Sequence, residues 1–143
     1  MIRFINVYKK DKKHDKNILN NINLSIAKDE FMYIYGPHGA GKSTLLKLLY
    51  RGTDYDKGRI IFNKKDLEDI KIHEHRKNIG IIFQDLKLLK KRTVFQNVIF
   101  PLEIIDFQGK EERVKSMLKY MDLLDKKDYK VCDISGTEKQ KVA

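Results

Sequence analysis

Two glycines, a lysine and a serine lie at the spacing of a phosphate-binding loop between residues 36 and 43. Gly36 and Gly41 enclose four residues and are followed directly by Lys42 and Ser43. Glycines at these places let the backbone turn tightly, so that successive N–H groups converge on an anion. A helix that begins at the end of the loop adds unpaired N–H groups and the positive end of its dipole. We expect Lys42 to reach the β- and γ-phosphates of a nucleoside triphosphate and Ser43 to complete the coordination of Mg²⁺.

The segments on either side of the loop fit this interpretation. Residues 31–35 are aromatic and β-branched and predict a buried strand, while residues 44–49 are good helix formers. A strand, a glycine loop and a helix are the setting that the motif requires. We therefore predict ATP and Mg²⁺ as cofactors, with His38 as a variable position of the loop. The predicted cofactor-binding residues are Gly36, Pro37, His38, Gly39, Ala40, Gly41, Lys42, Ser43 and Thr44.

The composition indicates one globular domain in a reducing compartment. The 143 residues are 41% hydrophobic and 35% charged, and no apolar stretch is long enough to cross a bilayer. A single cysteine, Cys132, cannot form an internal disulfide. The net charge is +10, but 24 of the 30 basic residues are lysines spread along the chain. This pattern predicts attraction to an anionic membrane face and no nucleic-acid partner.

The sequence also predicts several strands, one of which would position a further polar side chain, Gln84. Apolar residues predict strands at 2–7, 22–26, 59–62 and 80–83, and the charge run from 9 to 16 predicts a solvated loop. The buried strand at 80–83 would deliver Gln84 to its exit, where a glutamine can bind Mg²⁺ or orient the attacking water.

Local signals also place helices in the second half of the chain. A capping box at Thr93 opens a helix that Pro101 would bend or end, and a second apolar stripe begins after Glu111. The His73-Glu74-His75 stretch is interpreted as a solvated face rather than a metal site, since no third ligand lies near it in the sequence.

The last ten residues, from Ile134 to Ala143, resemble the signature of the ABC ATPases. Ser135 and Gly136 match the positions with which that family contacts the γ-phosphate of ATP held by a second subunit. Thr137 departs from the pattern, which has a second glycine there, and its side chain would crowd that nucleotide. The P-loop, Gln84 and the signature follow one another in the family's order over nearly the whole chain.

The resemblance implies an α/β fold, a P-loop NTPase of the ABC type. It has a RecA-like core, an antiparallel β subdomain and the start of a helical subdomain. Residues 1–143 would form a single incomplete nucleotide-binding domain whose C-terminal part is missing. About 1–84 would be the β subdomain and P-loop core. About 85–143 would be the Q-loop, the helical subdomain and the signature.

Within that family the chain is similar to the cell-division ATPases of the FtsE type. The similarity rests on residues 79–85, 88–89, 92–94, 97–98 and 101–102. It implies a homodimer with ATP sandwiched between subunits, an FtsX-like integral membrane partner, and a cytoplasmic location on the inner face of the membrane. Lipoprotein-releasing and macrolide-export ATPases share much of this pattern. Two more functions fit the residues: a non-hydrolysing ATP-binding scaffold, and a DNA-repair ATPase, for which the net charge is the only argument.

Two family features are not found. The aromatic residue that stacks on adenine is expected where this chain has charged residues, and Tyr8 is the only nearby candidate. The Walker B strand, the catalytic glutamate and the switch histidine would follow Ala143, so the chain is interpreted as a fragment or a truncated gene product without ATPase turnover.

The apolar segment after Gln84 predicts a contact with a membrane partner. Leu86, Leu88 and Leu89 have no evident core to fill, and we expect them to form a groove for an amphipathic helix. The alternative is that they pack on the helix that begins near Glu111.

Overall fold

The computed structural model describes residues 1–11 and 14–143, which form two compact units, Met1–Gly80 and Ile81–Ala143. None of the helices in the described ranges has the length and apolar character needed to cross a bilayer.

The first unit is built on a four-stranded antiparallel sheet with strand order β2-β1-β3-β4. The strands are β1 (Ile2–Asp11), β2 (Lys16–Ile26), β3 (Lys57–Phe62) and β4 (Lys65–Asp66). Phe4 lies opposite Leu24 on one neighbouring strand and Ile60 on the other, so one face of the sheet is apolar. The charge run is therefore not all loop: Lys9 to Asp11 belong to β1 and Lys16 opens β2, while residues 12 and 13 lie outside the described residues.

Two helices complete this unit. Helix α1 (Lys42–Leu49) begins where the glycine loop ends, as predicted, and buries Leu45 and Leu48 against the sheet. Helix α2 (Ile72–Arg76) is a short helix after β4. The buried core of this unit consists of Phe4, Val7, Leu19, Leu45, Leu48, Ile60 and Leu67.

The prediction of a buried strand at 31–35 is wrong. Phe31, Tyr33 and Tyr35 are 91%, 77% and 83% exposed, whereas Ile34 packs on the core of the first unit. The side chains still alternate between two faces as they do in a strand, but no described segment pairs with this backbone. An extended segment becomes a strand only through hydrogen bonds to a neighbour.

The prediction of a buried strand at 80–83 is wrong for the same reason. The segment is assigned to no strand, and Ile82 is 80% exposed. An apolar run indicates which residues can be buried, but it cannot supply the partner that buries them.

The second unit is helical. It contains α3 (Val94–Ile104), α4 (Lys110–Tyr120) and α5 (Gly136–Val142), with 3₁₀ turns at Leu124–Lys126 and Val131–Asp133. The predicted capping box is present, since Thr93 Oγ1 accepts the Gln96 N–H at 3.1 Å and Gln96 Oε1 accepts the Thr93 N–H at 3.0 Å. Pro101 does not end α3, which continues to Ile104. The core residues are Val94, Ile99, Val114, Leu118, Leu123, Val131 and Ile134.

Candidate functional site

The glycine loop leads directly into α1. Two of its residues have backbone angles that favour glycine. Gly39 and Gly41 have φ angles of 79° and 85°, in the left-handed region. A Cβ atom on Gly41 would lie 2.8 Å from the carbonyl oxygen of Ile18 on β2. The absence of a side chain at Gly41 therefore lets the start of α1 lie directly against β2.

Lys42 folds back over the loop that precedes it. Its Nζ donates to the carbonyl oxygens of Gly36 and Pro37, both at 2.7 Å. An ammonium group has three donors, so two of them fix its position and the third can reach a ligand. The charge is thus held above the loop backbone rather than extended into solvent.

The first turn of α1, which begins at Lys42, also has backbone N–H donors. The N-cap residue Gly41 makes no side-chain cap, and the Leu45 N–H is the donor that reaches back to the Gly41 carbonyl at 2.9 Å. The preceding N–H groups of a helix have no acceptor within the helix, and together with the helix dipole they favour an anion. Ser43 is exposed in this turn, so its hydroxyl is accessible. A phosphate group fits this set of donors, and a hydroxyl beside it fits a hard cation such as Mg²⁺.

Gln84 lies in the second unit, where it lines a groove of about 690 Å³. The hydrogen bond from Lys87 Nζ to Asp85 holds the pKa of that carboxyl below its usual range. The groove is lined by Gln84, Asp85, Leu86, Lys87, Leu88, Lys90, Val131, Cys132 and Lys139. A lining that combines lysine and apolar side chains suits an amphipathic occupant.

Not all leucines of the segment after Gln84 are available to contact a partner protein. Leu88 packs against the core of the second unit, so the prediction that it has no core to fill is wrong. Leu86 also lines the groove but does not belong to that core. The sequence does not distinguish the two leucines, because Leu86 and Leu88 both alternate with charged or apolar neighbours in the same short segment.

The signature segment opens α5 with a second capping box. Ser135 Oγ accepts the Glu138 N–H at 3.2 Å, and the Glu138 carboxylate accepts the Ser135 N–H at 2.8 Å. A hydrogen bond from the Ser135 side chain also helps to lower the pKa of the Glu138 carboxyl. A Cβ atom on Gly136 would meet nothing within 4 Å in the described structure, so the backbone there is open to approach. The carboxylate of Glu138 is further held by Lys126, a partner that no motif in the sequence identifies.

The interpretation of the His73-Glu74-His75 stretch as a solvated face is wrong for His75. His73 is exposed, but His75 is only 1% exposed and its Nε2 lies 2.6 Å from the Leu49 carbonyl oxygen. Within the described residues no three His, Cys, Asp or Glu side chains gather as a metal-ligand group. The acceptor of His75 lies on α1, far away in sequence, so a local pattern could not have revealed it.

The chain is similar in sequence to proteins of one known family. A family profile described as "ABC transporter" matches residues 19–143. The cell division ATP-binding protein FtsE of Bacillus subtilis is 45% identical over 130 residues, which cover 87% of this chain and 57% of that protein. The methionine import ATP-binding protein MetN of Clostridium acetobutylicum is 40% identical over 131 residues, 88% of this chain and 41% of that protein. The chain thus spans about half the length of these relatives.

Solved structures agree with this assignment of the fold. A dimeric ATP-binding cassette in a post-hydrolysis state with ADP and Pi superposes with a TM-score of 0.86 at 29% identity, covering 99% of this chain and 66% of that one. An Atm1-family ABC exporter with ATP bound gives a TM-score of 0.85 at 28% identity, covering 99% of this chain and 26% of that one. The predicted fold class, a P-loop NTPase of the ABC type, is confirmed.

Proposed function

Because this chain belongs to the ABC transporter family, we propose that it is the ATP-binding part of an FtsEX-like complex, which couples ATP binding and hydrolysis to a membrane partner in cell division. One observation carries the nucleotide part of the proposal. The Lys42 ammonium is fixed on the carbonyls of Gly36 and Pro37, beside the uncapped first turn of α1. The division role is supported by the 45% identity to the FtsE protein of Bacillus subtilis.

Each residue of the loop has a distinct task in this proposal. Lys42 places a positive charge on the β- and γ-phosphates, and the N–H groups of the loop and of α1 stabilise the remaining phosphate oxygens. The Ser43 hydroxyl would supply a ligand to Mg²⁺, which neutralises phosphate charge when it is bound. Gln84, in the second unit, would bind Mg²⁺ or orient the attacking water, as the resemblance to the ABC pattern implies. Such a site works mainly by positioning and by charge stabilisation.

The signature acts on the nucleotide of a second subunit. Ser135 and Gly136 would contact the γ-phosphate of ATP held by the partner's loop, so ATP would join two copies of the chain. The open backbone at Gly136 supports this role. The relative with ADP and Pi is described as dimeric, which agrees with a shared site.

The groove beside Gln84 is the proposed contact with the membrane partner. Leu86 lines this groove without belonging to the core of the second unit, and Lys87, Lys90 and Lys139 also line it. An amphipathic segment of an FtsX-like protein would place apolar side chains on Leu86. The chain would then lie on the inner face of the membrane as a peripheral subunit.

The nucleotide part is tested by titrating a fluorescent ATP analogue into wild type and Lys42→Ala in the presence of Mg²⁺. Loss of a charge-assisted contact to phosphate should weaken binding by at least about tenfold. The matched control is Lys47→Ala, which removes a lysine from the other end of the same helix. Equal affinity of wild type and Lys42→Ala would refute the proposed role of the loop, and an equal loss in Lys47→Ala would make the effect nonspecific.

A second candidate is the ATP-binding part of an importer. It is favoured by the 40% identity to the MetN protein of Clostridium acetobutylicum. Co-expression with a four-span FtsX-like membrane protein and, separately, with a methionine-importer permease distinguishes the two. Copurification with the first alone supports the division role, whereas copurification with the second alone replaces it by import.

A further inference from the structure

The C-terminal end of α1 is closed by backbone hydrogen bonds. The Gly52 N–H donates to the Lys47 carbonyl at 2.8 Å, and the Arg51 N–H donates to the Leu48 carbonyl at 3.1 Å. Arg51 has a φ angle of 54°, in the left-handed region. This pair of bonds is a Schellman motif, which satisfies two of the carbonyls that a helix end leaves unpaired.

Side chains of α2 satisfy the next three carbonyls in succession. His75 Nε2 lies 2.6 Å from the Leu49 oxygen, so this nitrogen carries the proton in the neutral ring. Arg76 Nε donates to the Tyr50 oxygen at 3.1 Å, and its Nη2 donates to the Arg51 oxygen at 2.7 Å. Together with the Schellman motif, these bonds account for every carbonyl from residue 47 to residue 51.

The contact is reciprocal. The Arg51 guanidinium donates through Nη1 to the carbonyl oxygens of Leu67 and Ile70, in the segment that leads into α2. The His75 ring is buried edge-on against Phe62 of β3, with ring centroids 4.7 Å apart. Helix α2 is therefore fixed to the sheet at one side and to the end of α1 at the other.

We infer that Arg76 and His75 are positioning residues for the phosphate loop. Helix α1 has eight residues, about two turns, and so short a helix frays readily when its ends are not fixed. Its first residue is Lys42, and its start lies against β2 through Gly41. Holding the far end of α1 keeps the first-turn N–H groups and Lys42 aligned for phosphate. The inference rests on the proposed nucleotide-binding function and adds residues that the loop motif does not contain.

The test compares Arg76→Met with Arg59→Met in the full chain. Arg76 is exposed, so water can replace its lost hydrogen bonds and the variant should fold. Arg59 is a matched control, since its Nε bonds to Asp66 between β3 and β4 at 3.2 Å and it makes no bond to α1. We expect Arg76→Met to weaken binding of a fluorescent ATP analogue with Mg²⁺ by about tenfold. Arg59→Met should bind within about twofold of wild type.

Two further measurements separate positioning from general destabilisation. Arg76→Lys keeps one donor and the charge, so its affinity should lie between those of wild type and Arg76→Met. Amide hydrogen exchange of Leu45 and Leu48 in ligand-free protein should be faster in Arg76→Met and unchanged in Arg59→Met.

The outcomes decide between the inference and the function on which it rests. If wild type binds the analogue and Arg76→Met binds it equally well, the positioning role is wrong and the proposed function stands. An equal loss in Arg59→Met would also overturn the positioning role, because it would trace the effect to the unit as a whole. If wild type does not bind the analogue, both fail together.

Discussion

Lys126 forms an ion pair with Glu138, and the other oxygen of the same carboxylate accepts the backbone N–H of Ser135 at 2.8 Å. Glu138 thus links a 3₁₀ turn to the first residues of the signature helix. The hydrogen bond from Lys126, followed by those from the backbone and side chain of Ser135, lowers the pKa of Glu138 to about 2. The position of Ser135 therefore depends on a lysine that lies outside the signature.

The first prediction concerns the pH dependence of this cap. A carboxyl whose pKa is lowered by folding stabilises the fold above its unfolded pKa of about 4.3, and that contribution disappears as the pH falls toward 2. In Lys126→Met the pKa of Glu138 should return toward its ordinary range, so the cap should be lost at a higher pH. NMR titration of the Glu138 carboxyl carbon measures its pKa in wild type and in Lys126→Met.

The control for that titration is Lys127→Met, which removes a neighbouring lysine that pairs only loosely with Asp128, at 4.0 Å. The pKa of Glu138 should be unchanged in this variant. An unchanged pKa in Lys126→Met would contradict the assigned cause of the shift.

The second prediction concerns the fit between the loop and β2. In Gly41→Ala the new Cβ would approach the Ile18 carbonyl to 2.8 Å at a φ of 85°. We expect the free energy of unfolding to fall by about 1–3 kcal/mol. Urea unfolding of the first unit, followed by far-UV circular dichroism, measures the change.

Gly80→Ala is the matched control, because a Cβ there would meet nothing within 4 Å in the described structure. Its unfolding free energy should stay within about 0.5 kcal/mol of wild type. Similar losses in both variants would mean that the close approach to Ile18 does not constrain the loop.

The third prediction concerns the membrane partner. Leu86→Glu places a charge in the groove beside Gln84 without removing a residue of the second core. Because a few apolar anchors dominate binding at a small groove, capture of an FtsX-like protein should fall by at least about tenfold while ATP affinity stays unchanged. A pull-down beside a nucleotide titration tests both parts.

Leu124→Glu is the matched control, since this leucine is partly exposed and does not line the groove. It should retain the partner. Retention by Leu86→Glu as well would exclude the groove as the contact. Leu88→Glu is a poorer test, because Leu88 also packs against the core and its replacement by a charged residue would destabilise the unit.

Short sequence motifs correctly predicted the structural elements whose hydrogen bonds join residues close together in the sequence. The glycine loop, the start of α1 and the capping box at Thr93 each depend on residues within a few positions of one another. The strand predictions at 31–35 and 80–83 are wrong because a strand depends on a distant neighbour.

The same limit applies to single side chains. The buried His75 ring is hydrogen-bonded to the Leu49 carbonyl of α1 and packs against the Phe62 ring of β3. Neither partner is adjacent to His75 in the sequence. Lys126 reaches Glu138 across a turn that no motif marks. The start of α1 after the glycine loop could be predicted from the sequence, but the residues that support α1 and the signature required the structure.

The exposed tyrosines of residues 31–35 give the chain an optical property. Tyr33 and Tyr35 stack with ring centroids 6.2 Å apart and planes inclined by 16°. The chain contains no tryptophan, so tyrosine emission is not masked by energy transfer to an indole. A ligand that packed against these two rings would change their environment. The ultraviolet absorption and fluorescence of the two tyrosines would then change as well. Since Tyr33 and Tyr35 are two of the chain's seven tyrosines, a change at this pair would appear in part of the total tyrosine signal.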